Sequence, residues 1–272
     1  MTTQRERAAR FAALHHRDRP LLMPNPWDAG VAKVFASLGF EALATTSSGY
    51  AATLGRLDGD VTRDEALAHG ADIAAATDLP VSADLENAYA DDPDGVARTI
   101  TMAAAIGLAG CSVEDYSGRA SNRIYDAQLA TDRVAAAAEA AHRATTPLVL
   151  TARAENFIRG NPDLDDTIAR LQAYASAGAD VVYAPGISDL TAIRRVVESV
   201  DVPVNVLALP NAPTIDELAS VGVARVSIGG AFSYVAIGAV AQAAREFLEQ
   251  GTYGFWQVAG AGAQVARKAF SG

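Results

Sequence analysis

Eight short apolar runs recur along the chain, and each is followed by a longer stretch in which apolar residues return every three or four positions. The runs lie at 21–23, 42–46, 80–84, 110–114, 148–153, 181–184, 202–206 and 225–228. Several are almost continuously apolar, the pattern of strands buried on both faces of a parallel sheet. The intervening periodicity predicts helices over 3–16, 29–38, from Thr62 onward, 93–106, 127–143, 164–177, 188–199, 214–221 and 231–249. Helix ends carry their own signals. Asp28 and Thr214 are N-cap candidates, Thr62 with Glu65 forms a capping box, and Gly39, Gly178 and Gly222 stop helices. Residues 47–50 and the stretch from Gly55 to Asp60 read as loops. Eight strand–helix units predict a single α/β domain over 1–272, a (β/α)8 TIM barrel. A doubly wound open sheet is the runner-up, and the missing G-x-G-x-x-G turn after the first strand counts against it. Beyond the eighth helix, residues 250–272 carry Phe255, Trp256, Val258 and Val265, and such a tail is expected to pack on a neighbouring subunit.

Composition narrows the function classes. Half the residues are hydrophobic, enough to bury a large core, and the net charge is −10. That charge argues against a nucleic-acid or anionic-membrane surface, so an anionic substrate must be drawn in by a metal or a local arginine. A lone cysteine, Cys111, rules out an internal disulfide framework and suits a reducing, cytoplasmic setting. No uninterrupted apolar run reaches the roughly 18 residues of a membrane span, and residues 1–7 are charged rather than signal-like.

The candidate chemistry gathers at predicted strand ends. Asp84 and Glu86 close the third run two residues apart, and residues so spaced on a strand face one way. Glu114 and Asp115 close the fourth, and Asp58 sits in a glycine-containing loop. Carboxylates leaving strand ends suit a hard cation held largely through water, as Mg2+ is, with Mn2+ as its substitute. The fifth run ends at Arg153, followed by Glu155, and a guanidinium facing a metal makes a clamp for a small dicarboxylate or 2-oxo acid. Asn25, Trp27, Ser47 to Tyr50, Tyr183, Asn205 and Gly229-Gly230 complete the predicted mouth. Each has a plainer reading. The acids could be helix caps or solvated loop charges, Arg153 a structural partner of Glu155, and Ser47 and Ser48 turn formers. Two glycines are weak evidence for phosphate binding, and Cys111 inside an apolar run reads as a small buried hydrophobe. None of the histidines falls at a strand end, which argues against His-based chemistry.

Taken in order, N-P-W-D-A at 25–29, T-S-S-G at 46–49, L-G-x-x-D ending at Asp58, A-D-x-E at 83–86, V-E-D at 113–115, T-A-R at 151–153 and P-V-N at 203–205 resemble the isocitrate lyase/phosphoenolpyruvate mutase superfamily. The resemblance runs from about residue 21 to 247. It implies a (β/α)8 barrel, often a homo-tetramer (or dimer) whose C-terminal helix is exchanged between neighbours. It implies Asp84 as the direct Mg2+ ligand, with Asp58, Glu86 and Glu114 holding metal-bound waters. Ser48, Gly49 and Tyr50 would bind a substrate carboxylate through backbone and hydroxyl groups, Arg153 would bind the same substrate, and Asn205 would be a further contact.

Departures from the family pattern bear on the reaction. The carbon–carbon lyases carry a K-[KR]-C-G-H loop after the fourth strand, whereas residues 116–126 here hold neither Cys, His nor Lys. The acid of an F-x-E pattern after the sixth strand is replaced by Tyr183-Ala184-Pro185. Arg119, Ser121 and Asn122 loosely resemble the P-K-x-N-S loop of the mutases and hydrolases, and this polar segment is expected to act as a lid. Arg119 and Arg123 would bind a second carboxylate or a phosphonate, and Tyr116 or Tyr125 is the candidate proton donor. The expected function is therefore a Mg2+-dependent lyase. It would cleave a C–C bond of a small 2-oxo or 2-hydroxy dicarboxylate, decarboxylation included, through a metal-stabilised enolate. The alternatives are a phosphonate mutase or hydrolase and a non-catalytic carboxylate-binding barrel.

Overall fold

A computed structural model describes residues 2–118 and 124–271. Eight parallel strands form one sheet, β1 (Leu21–Met23), β2 (Leu43–Ala44), β3 (Val81–Asp84), β4 (Gly110–Glu114), β5 (Val149–Arg153), β6 (Val181–Tyr183), β7 (Val204–Leu207) and β8 (Arg225–Ser227). The order β1-β8-β7-β6-β5-β4-β3-β2 brings the first two strands to the seam. There the Ala44 amide donates to the Pro24 carbonyl at 3.1 Å. Buried Asn25 fastens the same seam, because its amide donates to the Thr45 carbonyl and its oxygen accepts from the Ile228 and Gly229 amides. The result is a nearly closed (β/α)8 barrel, as the hydrophobic pattern predicts.

Helices α1 (Gln4–Ala13), α2 (Ala29–Ser37), α3 (Ser47–Thr53), α4 (Arg63–Ala76), α5 (Pro93–Ala104) and α6 (Ala127–Arg143) alternate with the first five strands. They are followed by α7 (Leu164–Ser176), α8 (Leu190–Glu198), α9 (Ile215–Ser220), α10 (Ala231–Arg245), a π-helical turn at Glu246–Gln250 and α11 (Trp256–Phe270). Strand alternation sorts the side chains. Ala83, Cys111, Val113, Leu150, Ala152, Val182, Val204 and Val206 face the helices in the main apolar core, while Ser82, Ser112, Arg153 and Asn205 face the barrel interior. Burial pushes the Cys111 thiol up to about 12, as befits a packed hydrophobe.

One stretch expected to be a loop is a helix. Residues 47–53 form α3, because the Thr46 hydroxyl caps it by accepting from the Gly49 amide. A side chain at Gly49 would collide with Thr46 and Ser233, so only glycine lets α3 approach α10 this closely. The tail is also explicit: within one chain α11 packs against α2. Helix α10 meanwhile leaves Tyr234, Val235, Ile237 and Val240 exposed. Among the described residues, no helix is long and apolar enough to cross a membrane.

The loop after β3 is strained and is held from outside the barrel. Glu86, Ala88 and Tyr89 all take left-handed backbone conformations that non-glycine residues rarely adopt. Arg133, 1% exposed on α6, donates to the Asn87, Ala90 and Glu114 carbonyls, and the Thr99 hydroxyl donates to the Ala88 carbonyl. Its guanidinium also lies 4.0 Å from the Tyr125 ring centre. One buried cation thus ties the ends of β3 and β4 together. Arg133→Met should lower unfolding free energy by about 3 kcal/mol in urea denaturation, because three buried carbonyls lose a charged donor.

Candidate active site

At the C-terminal end of the strands lies a cavity of about 200 Å³, walled by residues from most of the strands. Arg153 stands at its centre. Its Nη1 donates to Asp84 Oδ1 at 3.0 Å, its Nη2 reaches Glu114 Oε2 at 3.0 Å, and Nε and Nη2 share Glu155 Oε1 at 3.0 and 2.8 Å. The Tyr183 ring lies beneath the guanidinium, 5.3 Å from centroid to Cζ. Asp84 is oriented from the other side. Its backbone amide donates to the Thr45 hydroxyl at 2.8 Å, and the Ser47 amide donates to its Oδ2 at 3.3 Å.

Behind this pair the negative charge is in excess. Burial first, then Asp84 and Asp58, push the Glu86 carboxyl up to about 7, and the Tyr89 hydroxyl donates to it at 3.3 Å. Desolvation in the cavity wall, together with Asp84, also raises Asp58, while a bond from Ser47 opposes the rise. Burial raises Glu114 well above the usual carboxylate range despite the neighbouring Arg153. Burial works against the Arg153 charge, but Glu114, Glu155 and Asp84 outweigh it and keep the guanidinium protonated. Five acids therefore share Arg153 and Arg159, whose Nε donates to Glu155 Oε2 at 3.2 Å and whose Nη2 lies 3.6 Å from Glu114 Oε1.

All the surplus donors are carboxylate oxygens, the ligand set of a hard cation. Among the described residues, no three His, Cys, Asp or Glu side chains close directly around one point. An ion bound by one carboxylate and otherwise through water, the usual habit of Mg2+, needs no such cage.

A family model described as phosphoenolpyruvate phosphomutase matches residues 11–248. The chain belongs to the isocitrate lyase/phosphoenolpyruvate mutase superfamily. Among superfamily structures, a Burkholderia cenocepacia J2315 protein described only as a lyase/mutase is 50% identical, with a TM-score of 0.93 over 97% of this chain and 95% of that one. The 2-methylisocitrate lyase of Escherichia coli is 30% identical over 227 residues, 79% of this chain and 75% of the enzyme. The oxaloacetate decarboxylase of Pseudomonas entomophila is 29% identical over 221 residues, 77% of this chain and 73% of the enzyme. The superfamily relatives are enzymes, mostly lyases, beside mutases and hydrolases.

Against this superfamily frame, the sequence-predicted residues separate. Asp58, Asp84, Arg153, Ser48 and Asn205 line the cavity, and Glu86 and Glu114 stand behind Asp84 within its electrostatic reach. Gly49 turns its amide to Thr46, and Tyr50 stacks on His69 with ring centres 4.0 Å apart, away from the cavity wall. Asp115 also departs from the predicted mouth. It points outward and accepts from the Tyr174 hydroxyl, Arg170 and the Glu155 amide, so it is a scaffold acid. Tyr125 is buried outside the cavity and donates to Asp91 at 2.6 Å, while Tyr116 lies under the Arg159 guanidinium at 3.6 Å. Arg119, Ser121, Asn122 and Arg123 lie outside the described residues. Sequence reasoning passed over Tyr89, Arg159 and Arg225. Only Arg159 left a local signal, its i,i+4 spacing from Glu155 after a strand end.

The raised Glu86 carboxyl gives a signed pH dependence. Between its unfolded value near 4.5 and its folded value of about 7, the native state binds more protons than the unfolded chain. Stability of the metal-free protein should therefore fall as pH rises from about 4.5 to about 7, the range between those two values. Thermal melts with EDTA should show this slope, Mg2+ should flatten it at the alkaline end, and Glu86→Gln should reduce it, leaving the share of the likewise raised Asp58 and Glu114.

Proposed function

We propose that this protein is a Mg2+-dependent carbon–carbon lyase acting on a small 2-oxo or 2-hydroxy dicarboxylate, decarboxylation of a 3-carboxy-2-oxo acid included. The observation that carries the reading is the small cavity in which Arg153 faces a cluster of acids that outnumber the cations beside them among the described residues. Asp84 would hold the cation directly, and Asp58, Glu86 and Glu114 would hold it through water. When bound, the cation supplies Lewis-acid stabilisation of charge developing next to a carboxylate. Arg153 offers the planar fork that receives a substrate carboxylate, exchanging its carboxylate partners for the substrate's. Ser48 contributes a hydroxyl, which shares a 3.2 Å hydrogen bond with Thr46, and Asn205 a side-chain amide from β7.

Cleavage leaves an enolate that needs a proton at carbon. Tyr183 is the phenol in the cavity wall among the described residues, and burial pushes its hydroxyl up to about 12, so it remains protonated at neutral pH. It is assigned as the proton source in place of Tyr116 and Tyr125. Tyr183→Phe should lower kcat about 100-fold, within the usual range for a lost general acid, while leaving oxalate binding within about threefold.

The reading is tested by NMR of the protein with Mg2+ and a panel of oxaloacetate, 2-methylisocitrate, isocitrate, dimethylmalate, phosphoenolpyruvate and phosphonopyruvate, with EDTA controls. Metal-dependent cleavage of a phosphorus-free acid is expected, and Asp84→Ala should abolish it together with Mg2+-dependent oxalate binding. A phosphorus resonance moving between ester and phosphonate would transfer the assignment to the mutase or hydrolase branch, the activity for which the matching family model is named.

The same reading extends to assembly. The exposed apolar side chains of α10, continued by Phe247, Leu248, Trp256 and Val258, suit exchange of the C-terminal helices within a cytoplasmic homo-tetramer. Light scattering should give a mass about four times 28.2 kDa.

A further inference from the structure

Beneath the mouth the barrel holds a positive charge that no carboxylate among the described residues answers. Arg225 projects from β8 into the interior and is 3% exposed. Its Nε donates to Asn205 Oδ1 at 2.9 Å, its Nη2 to the Thr151 hydroxyl at 3.0 Å, and its Nη1 to His15 Nε2 at 3.2 Å. Every one of these partners is neutral. His15 places Nδ1 2.8 Å from the Phe11 carbonyl, which assigns the proton to Nδ1 and leaves Nε2 to accept. Burial and Arg225 push the His15 imidazole down to about 3, so it adds no charge at neutral pH. Among the described residues, no Asp or Glu forms an ion pair with Arg225.

Such a group is unusual as mere filling. The interior layers of a (β/α)8 barrel are ordinarily packed by branched apolar side chains, and a buried guanidinium without a counter-ion is costly. Arg133, equally buried, serves carbonyls outside the cavity. Arg225 by contrast lines it. Thr151, which receives its Nη2, lies on the same face of β5 as Arg153, so Arg225 sits one layer below the mouth. Its bond to Asn205 also decides which way that amide points: Oδ1 is held toward the cation, and Nδ2 donates to the Ser227 hydroxyl at 3.0 Å.

We propose that Arg225 is a positioning residue whose unanswered charge forms the floor of an anion site, with the bound dianion as its counter-ion and Asn205 held in the receiving orientation. A fixed charge in a low-dielectric interior needs no contact to act, and it favours a dianion over a neutral or singly charged ligand. The inference rests on the reading of the cavity as a site for a small dicarboxylate.

The test is calorimetric titration of oxalate in the presence of Mg2+, with thermal melts of the same samples. Arg225→Lys keeps the charge and should bind within about threefold of the parent, whereas Arg225→Gln keeps a donor but loses the charge and should bind at least tenfold more weakly. His15→Glu supplies a carboxylate from the side away from the cavity, leaves its wall intact, and should weaken oxalate binding by a similar factor without lowering the melting temperature. Equal losses in the Lys and Gln variants, or unchanged affinity in the Gln or His15→Glu variant, would overturn the role of Arg225 while oxalate binding by the parent stands. A parent protein that binds no oxalate would instead remove the dicarboxylate reading, and this inference with it.

Discussion

The site depends on one electrostatic constraint, the crowding of Asp84, Glu114 and Glu155 around the single guanidinium of Arg153. Carboxylates this close in a poorly hydrated wall repel one another, and Arg153, even with Arg159 beside Glu114 and Glu155, is shared among more acids than it can pair with singly. Glu86 and Asp58 add to the excess from the rim. The arrangement is thus stable in parts and unsatisfied as a whole. That is what a site needs if it is to take up a second cation and an anion together, because each relieves a charge the chain has left standing. Arg153 would be common to both uptakes: it pairs with the acids in the free protein, and in the proposed reaction it would release them as a substrate carboxylate takes its fork.

Holding such a cluster requires rigidity that the strands alone do not supply. The three left-handed residues after β3 aim Glu86 and Tyr89 back toward Asp84, a conformation the chain would not adopt unaided. Arg133 overrides that preference by gripping the loop carbonyls from the helix layer, and Asn25 does the corresponding service at the seam between β1, β2 and β8. Asn25 lies where the barrel closes on itself, and Arg133 where β3 and β4 end. The polar interior follows from the same logic. Serines, Thr151, Asn205 and Arg225 occupy inward positions that an inert barrel would fill with aliphatic side chains, so packing is exchanged for a preorganised field along the axis.

The sequence disclosed what depends on periodicity and on strand ends. The eight apolar runs located the strands within about two residues, and the strand ends gave Asp84 and Arg153, whereas Glu86 lies beyond β3 in the left-handed turn, where the two-residue strand spacing does not set its direction. It failed where a side chain's direction depends on tertiary partners. Asp115 follows Glu114 directly, so it faces the other way, and its partners Tyr174 and Arg170 come from α7 about 55 to 59 residues later. Residues 47–53 look like a turn because serine and glycine are weak helix formers, and the cap that starts the helix is one threonine hydroxyl. Arg225 sits inside an apolar run and reads as an exception. Only the three-dimensional arrangement shows that its neighbours are all neutral.

The missing loop cysteine and strand-six acid of the lyase branch have a common physical consequence. A proton donor placed among five acids must stay protonated at neutral pH without relying on a neighbouring base. A carboxylic acid could do so only if its affinity for the proton were raised further than burial raises Glu86, and it would add to the repulsion each time it ionised. A thiol is intermediate. A buried phenol is pushed in the useful direction, since desolvation holds Tyr183 neutral against the opposing pull of Arg153, with Glu155 and Asp84 adding smaller support. An enolate is a stronger base than a carboxylate, so a buried phenol would be matched to the one the proposed cleavage forms, where an ordinary acid would have lost its proton beforehand. Of the F-x-E pattern, Tyr183 stands at the aromatic position and Pro185 at the acid position, so in the proposed reaction the phenol would supply the proton from a neighbouring place in the cavity wall rather than from the acid's own.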